Sequence, residues 1–354
     1  MIDDNKKINE LVSVSRRLGE RFDLVQAGGG NTSVKTSDGF MYVKSSGLRL
    51  SDLKSADSFV KIDNQNLKKD FLETNWAVYE KRQREELANK IVTKNNMTPD
   101  RRPSIETLLH SNLDGFVLHS HPVQVTALFS DANAEKKAFE ILPNAAFVKY
   151  ETPGIDLALQ MMASKKRFEE KNGITPDVYI FQNHGLVARA HSASAAFILT
   201  NEVCDSLAKH SGIHFNHDKV VNEISIAMEK VFHESFVTIY SSNTKVDSVS
   251  ITQKAFFPDG VVFLGVIPVR FEKISSEHIE LQLNSYMREY GSTPRVFVFG
   301  ESIYFSGSNL VKARESEEVW RLHQIVSQFK PSSLSEEEIK YLSHWEAEKF
   351  RQKV

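Results

Sequence analysis

The segment GFVLHSH at residues 115–121 is an apolar run that ends in two histidines spaced two positions apart. A short apolar run that follows a glycine predicts a buried β-strand. Because alternate side chains of a strand point to opposite faces, His119 and His121 would leave the same face. Two neighbouring imidazoles form half of a zinc-type site, which takes three protein ligands when it is catalytic. Taken alone, the pair is equally well explained as two half-exposed surface histidines.

A third histidine, His184, follows the apolar run 178–182 and immediately precedes Gly185. The end of a buried strand, where it breaks into a glycine turn, commonly carries functional side chains. A histidine that is simply hydrogen-bonded within the turn is the alternative. His214 and His217 also have the spacing of a ligand pair, but they are a weaker candidate than the first cluster.

A carboxylate lies just ahead of the two histidines, in a helix predicted over residues 104–110. Glu106 would be placed there to reach a metal or to act as a general acid or base. If Ser104 caps this helix, Glu106 is only a first-turn carboxylate that interacts with the helix dipole. His110 lies one turn later, and we interpret it as a packing residue or a partner of the site residues.

Two glycine-containing turns have the composition of anion-binding loops. Residues 28–33 (GGGNTS) lie between two predicted strands, and residues 45–47 (SSG) follow the predicted strand that ends at Lys44. Backbone N–H groups beside hydroxyl and amide side chains suit a phosphate or a carboxylate. Neither loop has the spacing of a P-loop or of a dinucleotide-binding turn, and each alone would be an ordinary turn.

The chain of 354 residues is longer than one ordinary core requires, so two domains are expected. Helical and strand patterns alternate in both halves and predict two α/β domains, residues 1–215 and residues 216–354. The polar run 210–219 marks the boundary. In the second half, strands are predicted at residues 236–241, 253–257, 260–267, 295–300 and 302–307, and its polar residues converge on no recognisable chemistry.

Composition limits the classes of partner. Lys and Arg number 44 and Asp and Glu number 46, a balance that argues against general nucleic-acid binding. The single cysteine, Cys204, excludes an internal disulfide framework and favours a reducing cytoplasm. No stretch approaches the roughly 18 apolar residues of a membrane span, so no membrane partner is expected.

Together these segments resemble the class II aldolase/adducin family, and the resemblance covers about the first 210 residues. Five matches fall in the family's order: residues 29–33, residues 46–47 ahead of 50–53, residues 102–106 with His110, residues 119–122, and residues 183–185. The sequence RPSIE at residues 102–106 and the pair Trp345-Glu346 most resemble the longer members of the family, of the rhamnulose-phosphate aldolase type.

The resemblance implies a three-layer α/β/α domain with a central, largely antiparallel sheet, followed by a smaller C-terminal α/β domain. It implies one divalent metal ion per subunit, zinc first with manganese or cobalt as alternatives, bound by His119, His121 and His184. It assigns Glu106 as the catalytic carboxylate. Tyr150 would protonate the aldehyde end, often across a subunit interface. The positions that match phosphate-binding residues are Gly30, Asn31, Ser46, Gly47 and Ser104.

The implied activity is retro-aldol cleavage of a ketose or ketose phosphate through a metal-stabilised enediolate, by a homo-oligomer that is a tetramer by family default. The alternatives are an epimerase, dehydratase or decarboxylase of the same fold, or a non-catalytic adducin-like binding protein. Glu106 favours lyase chemistry, because the family's pentulose-phosphate epimerases typically carry aspartate there. Ile105 departs from the second serine of fuculose-phosphate aldolases and puts the phosphate contact in question.

Overall fold

The computed structural model describes residues 4–344, apart from the side chain of His344. The chain forms two compact units that divide between His214 and Phe215. Among the described residues, no helix is long and apolar enough to cross a membrane. Trp345 and Glu346, the pair that resembles the longer family members, lie outside the described residues.

The described part of the first unit contains seven strands and eight α-helices. Its strands are β1 (Asn31–Lys35), β2 (Phe40–Lys44), β3 (Phe59–Asp63), β4 (Phe116–Ser120), β5 (Ala146–Val148), β6 (Val178–Phe181) and β7 (Gly185–Ala190). Its helices are α1 (Asp4–Glu20), α2 (Asn64–Glu73), α3 (Lys81–Lys94), α4 (Thr107–Ser111), α5 (Val123–Leu128), α6 (Ala134–Ile141), α7 (Ile155–Asn172) and α8 (Ala193–Ser211).

The seven strands form one sheet in the order β3-β2-β1-β4-β7-β6-β5. Every neighbouring pair is antiparallel except β5 and β6, which confirms the largely antiparallel sheet. In the register between β1 and β4, Asn31 lies opposite His119. On the other side of β4, His119 lies opposite Val187 of β7. The central strand of the sheet, β4, therefore brings His119 and the nearby His121 to the middle of one sheet edge.

Side-chain alternation divides the apolar residues between the two faces of this sheet. Phe116 and Leu118 belong to one hydrophobic core, whereas Val117 belongs to the other. The first core packs against α1, α5, α6 and α8, and the second packs against α2, α3, α4 and α7. Because both faces are covered by helices, the unit has the three-layer α/β/α architecture that the resemblance implied.

The second unit is a smaller α/β fold. Its strands are β8 (Val237–Ser241), β9 (Val269–Phe271), β10 (Val296–Phe299) and β11 (Ser302–Gly307), in the order β8-β11-β10-β9, with β9 and β10 parallel. Its helices are α9 (Asn216–Phe232), α10 (Pro258–Leu264), α11 (Ser276–Tyr290), α12 (Leu310–Ser327) and α13 (Glu336–His344). Apolar residues fill both faces of its sheet.

Two of the predicted strands in this unit are wrong. Residues 253–257 form no strand, and most of the apolar run 260–267 belongs to α10. Pro258 occupies the first turn of that helix, where its missing N–H costs no hydrogen bond, and Gly265 ends it with φ +83°. A short apolar run fits a buried helix as well as a buried strand, so periodicity alone cannot separate them.

In the first unit, the strand predicted ahead of the glycine loop is also wrong. Residues 22–24 form a turn, and the backbone N–H groups of Leu24 and Val25 both donate to the carbonyl of Arg21. The first strand begins instead at Asn31, so the polar end of the glycine loop is part of the sheet. This one shift determines which side chains face the site.

Candidate metal centre

Three histidines converge from two segments of the chain. His119 is the next-to-last residue of β4, His121 is the first residue after that strand, and His184 lies in the turn between β6 and β7. One ligand atom from each lies within 4.8 Å of the other two. The Nε2 atoms of His119 and His121 are 3.1 Å apart. Within residues 4–344, they are the one group of three potential ligands so arranged.

Burial keeps these imidazoles neutral. It lowers the pKa of His119 well below the usual range, and the neighbouring imidazoles of His121 and His184 lower it further. Burial also lowers the pKa of His121. For His184 burial lowers the pKa, with the Glu106 charge acting in the opposite direction. A neutral imidazole is the form that binds a metal, so the cluster is in its ligating state at neutral pH.

Glu106 joins the histidines at the start of α4. Its Oε2 lies 3.4 Å from His119 Nε2, and its Oε1 lies 3.5 Å from His184 Nε2. The carboxylate is buried, and burial raises its pKa despite the opposing effects of His184 and of a hydrogen bond from Asn31. The helix α4 begins at Thr107, so Glu106 precedes its first turn, and the carboxylate makes no capping hydrogen bond but lies against the histidines.

Asn31 connects Glu106 to His110. The amide Nδ2 of Asn31 donates to Glu106 Oε2 at 2.6 Å, and its Oδ1 is hydrogen-bonded to Nε2 of His110. The other ring nitrogen of His110 lies 2.8 Å from Ser33 Oγ, and Lys35 Nζ donates to the same hydroxyl at 3.1 Å. Both ends of the Asn31 amide are therefore engaged within the protein.

Sequence reasoning missed Ser33 and Lys35 as neighbours of the site. Burial lowers the pKa of Lys35 to about 7, with the charge of Asp114 acting in the opposite direction. Residues 31, 33 and 35 share one face of β1, because strand side chains alternate. The polar character of that face was readable in the sequence, but only once the strand after the glycines was taken to begin at Asn31, within the predicted loop 28–33.

The glycine loop packs directly against the cluster. A Cβ atom at Gly29 would lie 2.8 Å from His121 Nδ1, and one at Gly30 would lie 2.8 Å from the carbonyl oxygen of His119. Gly30 also has φ +69°, a conformation that side chains other than glycine rarely adopt. The glycines are thus required by close approach to the histidine segment.

The other predicted anion-binding residues come together beside this region. The backbone N–H of Ser46 donates to the carbonyl of Arg102, and that of Ser104 donates to Lys44. Ser104 Oγ in turn accepts from the backbone N–H of Glu106 at 3.3 Å. A Cβ atom at Gly47 would meet open space, although its φ of +86° favours glycine. Residues 44–46 and 102–104 are therefore paired, with Ser46 and Gly47 exposed and the buried Ser104 linked to Glu106.

Tyr150 is not part of this hydrogen-bonded group. Its side chain is 55% exposed, and its backbone N–H donates to Gln182 Oε1 at 3.3 Å. The weaker histidine pair has no ligand geometry in the described residues. His217 stacks on Tyr240 with ring centroids 4.7 Å apart, and its Nδ1 lies 2.9 Å from Ser302 Oγ.

The residues present fit a divalent metal by their donor set. Metal–nitrogen bonds of about 2.0–2.1 Å in tetrahedral geometry place two ligating nitrogens about 3.3 Å apart, close to the spacing of His119 and His121. In addition, Glu106 Oε1 is buried without a hydrogen-bond partner. A buried carboxylate oxygen without a donor is costly, and a cation beside it would remove that cost.

One curated protein matches part of the chain. The chain is 27% identical over 228 residues to the uncharacterized oxidoreductase YuxG of Bacillus subtilis (strain 168), which is 61% of this chain but 31% of that protein. The chain thus spans about a third of the length of the curated relative it matches.

Solved structures with similar folds include two aldolase-type proteins. One is the N-terminal class II aldolase domain of a conserved protein from Thermoplasma acidophilum, at 25% identity and a TM-score of 0.48, covering 59% of this chain and 94% of that one. The other is L-fuculose-1-phosphate aldolase from Thermus thermophilus, at 15% identity and a TM-score of 0.36, covering 58% and 93%.

The family assignment rests on a broader match. The sequence model of the Class II Aldolase and Adducin N-terminal domain matches residues 9–209, which is more than half of the chain and includes every residue of the candidate metal centre. The protein therefore belongs to the class II aldolase and adducin family.

Proposed function

We propose that the protein is a divalent-metal-dependent aldolase that cleaves a ketose or ketose phosphate by a retro-aldol reaction. One observation carries the proposal: three neutral imidazoles and the buried carboxylate of Glu106 meet at one point, although they come from separate segments. A purely structural scaffold gains nothing from burying four such groups, because their desolvation destabilises the fold.

His119, His121 and His184 would hold the metal, zinc first, with manganese or cobalt as alternatives. When bound, a divalent cation supplies Lewis-acid chemistry: it polarises substrate oxygens and stabilises negative charge as a carbon–carbon bond breaks. The protein's own contribution is to hold the three imidazoles in the neutral form through burial, so that no proton has to be displaced.

Glu106 would move the proton. Its Oε2 accepts from Asn31, so Oε1 is the oxygen available to take a proton from the substrate and return it. Burial raises the pKa of Glu106, which makes its carboxylate a better base than an exposed one. The hydrogen bond from Asn31 holds the carboxylate while this proton is exchanged.

The substrate's anionic end would bind at Ser46, Gly47 and Ser104, which lie together beside Glu106. Gly30 and Asn31 would contribute through their backbone, since the Asn31 side chain is already held at both ends. This surface suits the phosphate of a small sugar phosphate or a polar sugar terminus.

In the reverse, bond-forming direction, the exposed Tyr150 would protonate the aldehyde oxygen in the site of a neighbouring subunit of a homo-oligomer, a tetramer by family default, and by microscopic reversibility its loss would also slow cleavage. Mixing Tyr150→Phe subunits with His119→Ala subunits should then restore cleavage that neither variant shows alone. Each variant unfolded and refolded by itself is the control, and a mixture as inactive as its parts would exclude a shared site.

The first experiment is elemental analysis of the purified protein beside His119→Ala/His121→Ala. A matched control is His191→Ala/His210→Ala, which removes two exposed histidines from the same unit. We expect near-stoichiometric metal in the wild type and the control and none in the site variant. A wild type that binds no metal even after reconstitution would exclude the aldolase and support an adducin-like binding protein.

The second experiment screens ketoses and ketose phosphates for release of an aldehyde, with Glu106→Gln as the variant. Loss of a general base costs about 100-fold or more in rate, so Glu106→Gln should lose cleavage to that extent. Metal analysis of the same variant separates a lost proton-transfer group from a lost ion. Turnover that gives an epimer, a dehydrated product or carbon dioxide instead would assign the site to that reaction.

A further inference from the structure

A row of polar side chains leads from Lys35 through Ser33, His110 and Asn31 to Glu106. Apart from Lys35, which is half-buried, its members are buried, and each touches the next by a hydrogen bond. Three of them, Asn31, Ser33 and Lys35, project from the same face of β1. His110 comes from α4. Its two hydrogen bonds go to Ser33 and Asn31, and neither goes to a histidine of the cluster.

The chemistry of the groups fixes the direction of every bond in the row. A carboxylate can only accept, so Asn31 must turn its NH₂ group toward Glu106 Oε2. Its carbonyl oxygen then faces His110, whose Nε2 must carry the hydrogen. His110 Nδ1 is left as an acceptor for Ser33, and the Ser33 oxygen accepts from Lys35.

The opposite orientation is unfavourable. With Nδ1 protonated, His110 would present a bare Nε2 to Asn31, and the amide would turn its NH₂ toward the ring. Its carbonyl oxygen would then face the carboxylate oxygen of Glu106 at the 2.6 Å now spanned by a hydrogen bond. Two acceptors at that distance repel each other, so the tautomer of His110 determines whether Glu106 is held.

The row does not conduct protons to the site. Passing a proton through Asn31 would require its amide to adopt the imidic acid form at one end while releasing a proton at the other. An amide has no accessible protonated or deprotonated state near neutral pH, whereas it is a good oriented dipole. The function of the row is therefore geometric.

We propose that His110 is a positioning residue whose Nε2–H fixes the amide of Asn31, so that Asn31 holds one oxygen of Glu106 and leaves the other directed at the histidine cluster. This inference rests on the proposed role of Glu106 and adds how that side chain is kept in place. Ser33 and Lys35 complete the arrangement by occupying Nδ1 and so selecting the tautomer.

The first test needs neither metal nor substrate. In metal-free protein labelled with ¹⁵N-histidine, the two ring nitrogens of His110 report which one carries hydrogen, and His110→Gln identifies the signals. We expect the Nε2–H tautomer in the wild type and a shift toward Nδ1–H in Ser33→Ala. An Nδ1–H tautomer in the wild type would overturn the proposal, whatever the protein's activity.

The second test is a double-mutant cycle read by the dissociation constant for Zn²⁺. His110→Phe keeps a planar ring but removes the N–H donor, and we expect it to weaken binding about 10-fold, as loss of a ligand's supporting partner does. His110→Gln, which restores an N–H donor, should recover most of this loss. In an Asn31→Ala background, His110→Phe should have no further effect, because the residue it acts through is gone.

Additive effects in this cycle, or unchanged Zn²⁺ binding by a folded His110→Phe, would overturn the proposal and leave His110 as a packing residue. If His110→Phe does not fold, Ser33→Ala replaces it in the cycle with the same expectations. A wild type that binds no Zn²⁺ would refute the proposed metal function, and the tautomer measurement would still decide the role of His110.

Discussion

At the scale of single residues, the site depends on backbone that approaches the histidines without a side chain in between. Gly28, Gly29 and Gly30 are adjacent, but they are not equivalent. A Cβ atom would meet nothing within 4 Å at Gly28, the imidazole of His121 at Gly29, and the backbone of His119 at Gly30. Gly28 is therefore the matched control for a substitution at Gly29.

Gly29→Ala should weaken divalent-metal binding about 10-fold, because the added methyl group must displace the His121 ring. Gly28→Ala should bind metal as the wild type does. Titration of both variants with Zn²⁺, alongside their thermal unfolding, measures the difference. Equal affinities for the two variants would show that the His121 ring can move without cost to the site.

That the three histidines and Glu106 come together could be predicted from their spacing and from the resemblance they support. His119, His121, His184 and Glu106 do lie together, because a strand and a strand-end turn bring such positions to one place. The partners Ser33 and Lys35 could not be predicted, since their importance depends on where β1 begins. That boundary is set by pairing with β4, which is a long-range contact and leaves no local signal.

At the scale of elements, α12 holds a loop of the second unit through two consecutive side chains. His323 Nε2 donates to the carbonyl of Ser250 at 3.1 Å, and Gln324 Nε2 donates to the carbonyl of Lys245 at 2.6 Å. The His323 ring is buried between Trp320 and Phe256, with centroids 4.8 Å and 4.7 Å away. This aromatic environment suits a neutral ring.

Acidification should therefore destabilise the second unit through His323. Burial lowers its pKa, against the opposing effects of the Ser250 carbonyl and the Asp247 charge. The stability that depends on its neutral form is complete above the unfolded pKa of about 6.5 and is lost as the pH falls from there toward the lowered folded value.

The measurement is the free energy of unfolding of the wild type and His323→Gln between about pH 8 and about pH 5. His323→Gln retains an N–H donor for Ser250 but does not titrate, so its stability should fall less steeply over this range. Other titrating groups contribute equally to both proteins and cancel in the difference. Parallel curves would mean that His323 is protonated at no cost in the fold.

The errors in predicting elements also have a local physical cause. The helix α10 is seven residues long, and its continuous apolar run, residues 261–264, is too short for helical periodicity to be distinguished from a buried strand. By contrast, the strands predicted at residues 295–300 and 302–307 are confirmed as β10 and β11, because the two apolar runs flank a Gly-Glu turn at residues 300–301. In this unit, turn residues therefore predicted the strand boundaries better than the hydrophobic pattern did.

At the scale of the whole molecule, the candidate metal centre lies within the first unit. Every residue of the candidate metal centre lies before His214, and that unit has a hydrophobic core on each face of its own sheet. A fragment of residues 1–214 should therefore fold and bind Zn²⁺ with the affinity of the full chain. Circular dichroism and metal titration of the fragment check this expectation.

A folded fragment that binds no metal would show that the second unit takes part in forming the site. The matched control is residues 215–354, which lack all three histidines of the cluster and should bind no stoichiometric metal. Any metal bound by that second fragment would have to be subtracted before the affinities of the full chain and the first fragment are compared.

The alternation of side chains along β1 also determines which residues would be needed to graft this site onto another protein scaffold. Copying only the three histidines and Glu106 onto a foreign sheet would reproduce the cluster but leave the carboxylate free to rotate, because nothing would hold its second oxygen. A working graft would also need a neighbouring antiparallel strand with polar residues at every second position, as Asn31, Ser33 and Lys35 have here, and a histidine on the adjoining helix. The smallest portable unit is thus two paired strands and a helical turn in addition to the ligands.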